Sequence, residues 1–552
     1  MGRFCKIVVA VVLLALYRQV EGLCEEDPND PTKLPFPNIF DLSVSHLGYQ
    51  MSVEANVVDE QTSYFAEERY DIFNSRGKTE VLGGGKRRLI IYYKETDEYF
   101  SISEGLCNVS SLSSVKNPFD KLWMDREDDR VILGPSAMFR HAYLDSLKGD
   151  VDYMGKENLY GVRDMIADRW RQCPNSNTQV DFYFLDPKWN NHLNDKNLPI
   201  PLRVTLQTEK GGKISTIQFE FLKFIPFVEN LDETFLIPTG FGCQRLAKDL
   251  KQPVDLSNKD LLIQGELLYT MLNHTNTPYS YATTFFVAYD QKSGHLAHFY
   301  NRWEKNTSSD PVPVQSSLID VYGYKDKVLY TINQDYGNCS MTRTTTYVPK
   351  VYMPFGKELV LTSPEFLGSN EGFHYFGESE ERNIPVSVFE KKVEGFSLGP
   401  GTKYPYAVIT RYYTNDEVWY DSNTREQQVP IRVTVRVYSD GNIPRPSEVV
   451  TFNVADFSTE LHSPEKVFDV SSCFMDSSMS KWFQITFPME AYGILVSMEF
   501  PGKIKDKFLK TTRTLTGISS LRIPKVLVDF DKDQMYVSAL LLERPPYFTT
   551  ST

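Results

Sequence analysis

Apolar and polar residues alternate along much of this chain, and the alternation has the period of a strand. In Ile217-Gln218-Phe219-Glu220-Phe221 the apolar side chains share one face and Gln218 and Glu220 the other, because successive residues of extended backbone point to opposite sides. Residues 89–93, 180–185 and 202–206 are also rich in β-branched and aromatic types, and Gly, Pro, Asn and Asp bound them. Glu209-Lys210-Gly211-Gly212-Lys213 predicts a hairpin between two such runs. The scheme returns at 431–438, with a turn at 439–442 and a further run at 449–454. These meanders predict a curved antiparallel sheet or barrel. Helical periodicity is sparse. Met138, Ala142 and Tyr143 share one side of a helix at 138–144, and Ser363-Pro364-Glu365-Phe366-Leu367 reads as a helix start. The expected class is α+β, mostly β, with short lid helices.

The chain states this pattern twice. Pro201-Leu202-Arg203-Val204-Thr205-Leu206 returns as Pro430-Ile431-Arg432-Val433-Thr434-Val435. Cys107 returns as Cys339, Cys243 as Cys473, and Tyr70-Asp71 as Tyr289-Asp290. Offsets of about 220–230 residues are domain-sized, well above the roughly 20–50 of solenoid repeats. Two tandem domains are expected at 30–243 and 253–475, joined through the polar, aperiodic stretch at 244–260. Residues 478–546 match neither copy. They read as a strand at 482–487, a helix with Ile504, Phe508 and Leu515 on one face, and a hairpin of 521–530 with 535–542. That order suggests a small ferredoxin-like or SEA-like C-terminal module.

The N-terminus predicts export. Arg3 and Lys6 precede a ten-residue apolar run at 7–16, and Val20-Glu21-Gly22 fits a cleavage site, giving a signal peptide at 1–22. No later run is long enough to span a bilayer, so a secreted, extracellular protein is expected. Of seven cysteines, Cys5 falls in the signal and six remain. If both copies form the same bridge, Cys107 pairs with Cys243 and Cys339 with Cys473, which leaves Cys24 for Cys173. Asn108, Asn273, Asn306 and Asn338 head N-glycosylation sequons. A net charge of −13 argues against nucleic acid as a partner. Lys86-Arg87-Arg88 is read as the exit from a glycine turn.

No catalytic or metal motif is complete. Gly395-Phe396-Ser397-Leu398-Gly399 has the letters of a hydrolase elbow, but Pro400-Gly401 follows where a helix must start. Asp529-Phe530-Asp531-Lys532-Asp533 opens like a calcium loop, yet Gln534 and Leu540 stand where Gly and a carboxylate are needed. His295 and His298 lie three apart on a predicted strand and so face opposite sides. Acid pairs such as Glu67-Glu68 read as solvated faces. The expectation is no enzyme, no cofactor and no metal.

Three segments carry a family resemblance: the run Glu67-Glu68-Arg69-Tyr70-Asp71-Ile72-Phe73-Asn74-Ser75-Arg76-Gly77; Tyr153-Met154-Gly155 through Arg163 to Trp170, echoed by Tyr375-Phe376-Gly377 through Arg382 to Phe389; and Phe235-Leu236-Ile237-Pro238 with Cys243. Over 30–475 they resemble the LolA-like domains of metazoan secreted proteins, named for the bacterial periplasmic lipoprotein carrier. The stretch from Arg513-Thr514-Leu515 to Pro545-Pro546 resembles the module that follows such tandems. The resemblance implies two incomplete antiparallel β-barrels, each with short helices at its mouth and a concave apolar face. In the bacterial carriers that hollow takes acyl chains. In the second copy Val287-Ala288-Tyr289-Asp290 replaces Glu68-Arg69-Tyr70-Asp71, and Ser293-Gly294 is aligned with Arg76-Gly77.

The expected function is therefore a secreted, non-enzymatic binder or carrier of lipid or another apolar ligand. Tyr92, Trp170, Phe182, Phe184, Phe219, Phe221 and Phe389 are the candidate cavity residues. The alternative is an extracellular structural or adhesive protein with solid barrels that acts through protein partners.

Overall fold

The computed structural model describes residues 34–41, 48–115, 124–125, 131–159, 165–189, 198–247, 251–256, 259–272, 279–304, 314–347, 350–352, 358–360, 370–398, 403–415, 428–439, 445–461, 464–488, 500–531 and 534–545. The expected signal peptide, Cys24, Asn273, Asn306 and the helix start at 363–367 lie outside them. The chain divides into two compact units, Met1–Asp249 and Leu250–Thr552.

In the first unit, strands β1 (Gly48–Val57), β2 (Thr62–Asp71), β3 (Arg76–Gly83), β4 (Lys86–Tyr93), β5 (Glu98–Ser103) and β6 (Leu106–Ser111) form a meander. A crossing segment follows, with a two-stranded ladder of β7 (Met124–Asp125) and β8 (Ile132–Leu133), then helix α1 (Ala137–Ser146). Strands β9 (Val151–Leu159), β10 (Met165–Asn175), β11 (Thr178–Leu185), β12 (Pro201–Lys210) and β13 (Lys213–Ile225) complete the sheet. The last strand pairs with the first, so the order is β6-β5-β4-β3-β2-β1-β13-β12-β11-β10-β9, antiparallel throughout. Lys210 pairs with Lys213 across Gly211-Gly212, whose φ angles of +62° and +77° suit the tight turn whose twist matches a hairpin.

The second unit repeats this plan. Strands β14 (Leu261–Met271), β15 (Tyr279–Asp290), β16 (His295–Glu304), β17 (Val314–Gly323), β18 (Val328–Asn333) and β19 (Cys339–Arg343) precede the small ladder of β20 (Lys350–Tyr352) and β21 (Glu358–Val360). Strands β22 (His374–Glu381), β23 (Ile384–Glu394), β24 (Tyr406–Thr414), β25 (Pro430–Tyr438) and β26 (Glu448–Ser458) follow, in the order β19-β18-β17-β16-β15-β14-β26-β25-β24-β23-β22.

Three β-bulges recur at matching places and give the repeated motifs a physical reason. Tyr153 and Gly155 oppose Trp170 and Arg169, which leaves Met154 extra; Tyr375 and Gly377 oppose Phe389 and Val388, which leaves Phe376 extra. Leu202 and Ile431, inside the repeated Pro-x-Arg-Val motif, are the extra residues between β11 and β12 and between β24 and β25. Leu222 and Ala455 are extra where the last strand meets the first. A bulge bends its strand and increases local twist, so three of them at fixed positions curl each sheet the same way. The recurrent Asp caps the turn after the second strand: Asp71 Oδ1 accepts from the N–H groups of Phe73 and Asn74, and Asp290 Oδ1 from that of Ser293. By this register the places of Arg76 and Gly77 are held by His295 and Leu296. This corrects the Ser293-Gly294 alignment.

Each unit straps its exit segment back to an edge strand. Cys107 of β6 is bonded to Cys243, and Cys339 of β19 to Cys473. Cys173 is disulfide-bonded as well. Beside the first bridge, buried Glu98 accepts from Arg245 and from the N–H groups of Leu246 and Ala247.

The C-terminal residues form a three-stranded sheet. Strand β27 (Ser480–Pro488) and strand β28 (Lys525–Asp531) both pair with the central β29 (Gln534–Leu542), and helix α2 (Phe500–Thr516) packs on one face. Ile504 and Phe508 of the expected helical face pack into that core, while Leu515 on the same face is 79% exposed. The hairpin's first strand also starts later than expected, because residues 520–522 form a short 3-10 turn. Leu521, Leu540 and Leu542 pack with Ala288, Ala297, Val321 and Tyr330 on the outer face of β15–β18.

Candidate functional site

The inner face of the first sheet is aromatic. Alternation on β1, β11, β12 and β13 turns Tyr49, Met51, Val53, Phe182, Phe184, Val204, Phe219 and Phe221 to one side, where they join one buried cluster with Trp170 and Tyr92. Six of the seven expected cavity residues thus share a single surface. Two pieces of the same domain cover it. From α1, Phe139 lies 5.0 Å, ring to ring, from Phe221 and 5.5 Å from Phe184. From the N-terminal segment, Phe36 meets Phe182 at 5.3 Å and Phe184 at 5.6 Å. Each such ring withdrawn from water gains about 1.5–3 kcal/mol, so the cover is held mainly by apolar burial.

A small polar latch fixes its position. Glu68 is buried on the inner face, with one carboxylate oxygen accepting from the Ser136 N–H at 2.8 Å and the other from Ser136 Oγ at 2.5 Å and the Tyr49 hydroxyl at 3.3 Å. Thr79 Oγ1 donates to the Leu133 carbonyl at 2.7 Å, and the Tyr92 hydroxyl accepts from the Leu133 N–H at 3.0 Å. Gly134 is required here: a Cβ at that position would come within 2.5 Å of the Glu68 carboxyl carbon. Burial pushes the Glu68 pKa up to about 7, against the opposing pull of its hydrogen bonds from Ser136 and Tyr49. Burial also raises the Tyr49 and Tyr92 hydroxyls. Glu68 is the residue that sequence reasoning missed. Its signal was parity, since Glu68 shares a strand face with Ala66 and Tyr70, whereas Glu67 does not.

The second domain has an apolar inner face of its own. Leu267, Tyr269, Phe285, Phe389, Ile409, Val433, Val435 and Phe452 belong to one cluster, and Tyr375 lies 5.6 Å from Phe389 as Tyr153 lies 5.2 Å from Trp170. The buried guanidinium of Arg411 sits 3.9 Å over the Phe373 ring. His295 and His298 are both buried and face opposite sides of β16. His295 Nδ1 lies 3.3 Å from Ser520 Oγ on the outer face.

Among the described residues no group of three His, Cys, Asp or Glu side chains is placed to hold a metal ion. Ser397 lies in the connection between β23 and β24, where Gly395 N–H bonds the Pro405 carbonyl and Tyr404 N–H the Phe396 carbonyl; a strand follows in place of an elbow's helix. Asp531 pairs with Gln534 in a hairpin. Asn108 and Asn338 are exposed. No helix among the described residues is long and apolar enough to cross a membrane.

The family model for the metazoan second LolA-like domain matches residues 266–474, from within β14 to the residue after Cys473. No curated protein matches the chain. Among solved structures, an uncharacterized conserved protein from Thermus thermophilus is 11% identical with a TM-score of 0.23, over 36% of this chain and 91% of its own. A LolA superfamily protein from Nitrosomonas europaea is 10% identical with a TM-score of 0.17, over 40% and 93%. The MucA/MucB complex of Pseudomonas aeruginosa is 11% identical with a TM-score of 0.19, over 77% and 100%. The strand order, bulges and bonded cysteines of the matched segment all have counterparts in the first unit. Residues 266–474 thus match the metazoan second LolA-like domain, and the first unit repeats their strand order and their cysteine bridge.

Proposed function

We propose that this protein is a secreted, non-enzymatic binder or carrier of lipid or another apolar ligand, held on the concave faces of its two LolA-like domains. The domains on this reading are 30–243 and 253–475, followed by a small module at 478–546, with Asn108, Asn273, Asn306 and Asn338 as glycan sites. The reading is carried by one observation: the aromatic inner face of the first domain is covered by a helix and an N-terminal segment that touch it chiefly through apolar side chains. An acyl chain could replace those contacts in kind, gaining about 0.8 kcal/mol for each methylene removed from water. Export is supported by the two bridges and by the leader-like sequence at 1–22.

The test is native mass spectrometry and lipid extraction of the full chain secreted from eukaryotic cells, with a fluorescent fatty-acid probe titrated into delipidated protein. Co-purified lipid and saturable probe binding are expected. Absence of both would sink the carrier reading and leave the structural or adhesive alternative.

A further inference from the structure

The two inner faces differ in how their polar groups are answered. In the first domain Met51, Glu68, Thr79 and Ile90 lie in register across β1–β4. The polar pair there is met by the covering segment, Glu68 by Ser136 and Thr79 by Leu133. The matching row of the second domain is Ile263, Val287, His298 and Asp320 across β14–β17. His298 is 0% exposed, and neither ring nitrogen has a hydrogen-bond partner among the described residues. Its ring stacks on that of Tyr300 at 4.8 Å and 17°. Asp320 beside it is engaged elsewhere, one oxygen accepting from Thr331 Oγ1 and the other from the Tyr347 hydroxyl, each at 2.7 Å. The small ladder approaches the same strand in both domains, β8 on β3 and β20 on β16.

A buried imidazole with two unanswered nitrogens costs free energy unless something meets them. We propose that the inner face around His298 is a binding site for an apolar molecule whose polar end is a neutral hydroxyl. This inference rests on the carrier reading and names the ligand class of the second domain. Burial lowers the His298 pKa to about 3, so near neutrality the ring offers one N–H and one bare nitrogen. A hydroxyl both donates and accepts, and so can answer either nitrogen. A carboxylate can only accept, and would be placed beside Asp320 in surroundings of low polarity. An ammonium can only donate, and would leave the N–H unmet. Val287, Leu296, Leu318 and Tyr322 share the inner face with His298 and supply its apolar lining.

The experiment uses the full chain, delipidated, and two fluorescent probes with the same long chain, one ending in a hydroxyl and one in a carboxylate. The alcohol should bind more tightly than the acid. His298→Phe should weaken alcohol binding about tenfold or more, the cost of losing one hydrogen bond in a dry site, and leave acid binding within about twofold. His298→Gln retains a donor and an acceptor and should restore part of the preference; His298→Leu serves if the larger Phe disturbs folding. Equal affinities in the wild type, or an alcohol preference that survives His298→Phe and His298→Leu, overturn this inference and leave the carrier reading intact. If neither probe binds, the carrier reading fails and takes this inference with it.

Discussion

Glu68→Gln isolates the charge in the first domain's latch and makes it measurable. The Glu68 carboxyl titrates at about 7 in the closed domain, against 4.5 as its ordinary value. A carboxyl whose pKa is raised by folding binds more protons in the closed state than in the open one between those two values. Closure is therefore strongest at acid pH and weakens as pH rises through that window. A gap of about 2.5 units at roughly 1.4 kcal/mol each amounts to about 3–4 kcal/mol, most of it lost between about pH 5 and about pH 8. The titratable groups facing Glu68 are Tyr49, Tyr70 and Tyr92, and burial raises Tyr49 and Tyr92 above any pH in that window. Glutamine keeps the shape and the acceptor for the Ser136 N–H and cannot ionise. The assay is hydrogen–deuterium exchange of the peptide covering 131–146, comparing variant and wild type at the same pH so that intrinsic exchange cancels. The wild type should lose about 2–3 kcal/mol of protection relative to the variant between the two pH values. A difference that stays constant with pH would refute the assignment of this charge to the latch.

Three further outcomes follow from the same geometry. Phe139→Ala removes the ring that meets Phe182, Phe184 and Phe221, and should destabilise the first domain by about 3–5 kcal/mol in chemical denaturation. Replacing Cys107 and Cys243 together by Ser opens a loop with a sequence separation of 136 residues, and should cost up to about 4–5 kcal/mol, read as a lowered denaturant midpoint. Gly134→Ala drives a methyl into the held Glu68 carboxylate and should cost about 1–3 kcal/mol, with faster exchange at the Ser136 amide than in wild type.

The strand runs were legible because their signal is local. Phe219 and Phe221 alternate with Gln218 and Glu220, and that parity determines the inner face wherever the strand pairs. The repeated motifs were legible as repeats, but their meaning was not. Nothing in Pro-Leu-Arg-Val announces that Leu202 is an unpaired extra residue, because a bulge is defined by two strands and the sequence displays one at a time. Glu68 failed for a different reason. A glutamate beside another glutamate has the composition of a solvated face, and the donors that let it be buried come from elsewhere in the sequence, from Tyr49 on β1 and from Ser136 in the crossing segment. Leu515 shares the helical face of Ile504 and Phe508 yet is exposed, because helical spacing alone does not say how much of a face its partner covers.

Duplication makes the two inner faces a controlled comparison. Sheet order, bulges and bonded edge strands are shared, so whatever bends these sheets is common to both and cannot account for their differences. One of the differences lies in a single row of side chains. Where the first domain places Glu68 and Thr79 and answers both from its own chain, the second places Val287 and His298 and leaves the ring unanswered among the described residues. An unpaired imidazole contributes nothing to folding that leucine or phenylalanine would not contribute better, since an apolar ring of that size gains dispersion and burial without the cost of stripping water from two nitrogens. Burial thus acts on two different groups in the same architecture, pushing a carboxyl up to about 7 in one copy and an imidazole down to about 3 in the other.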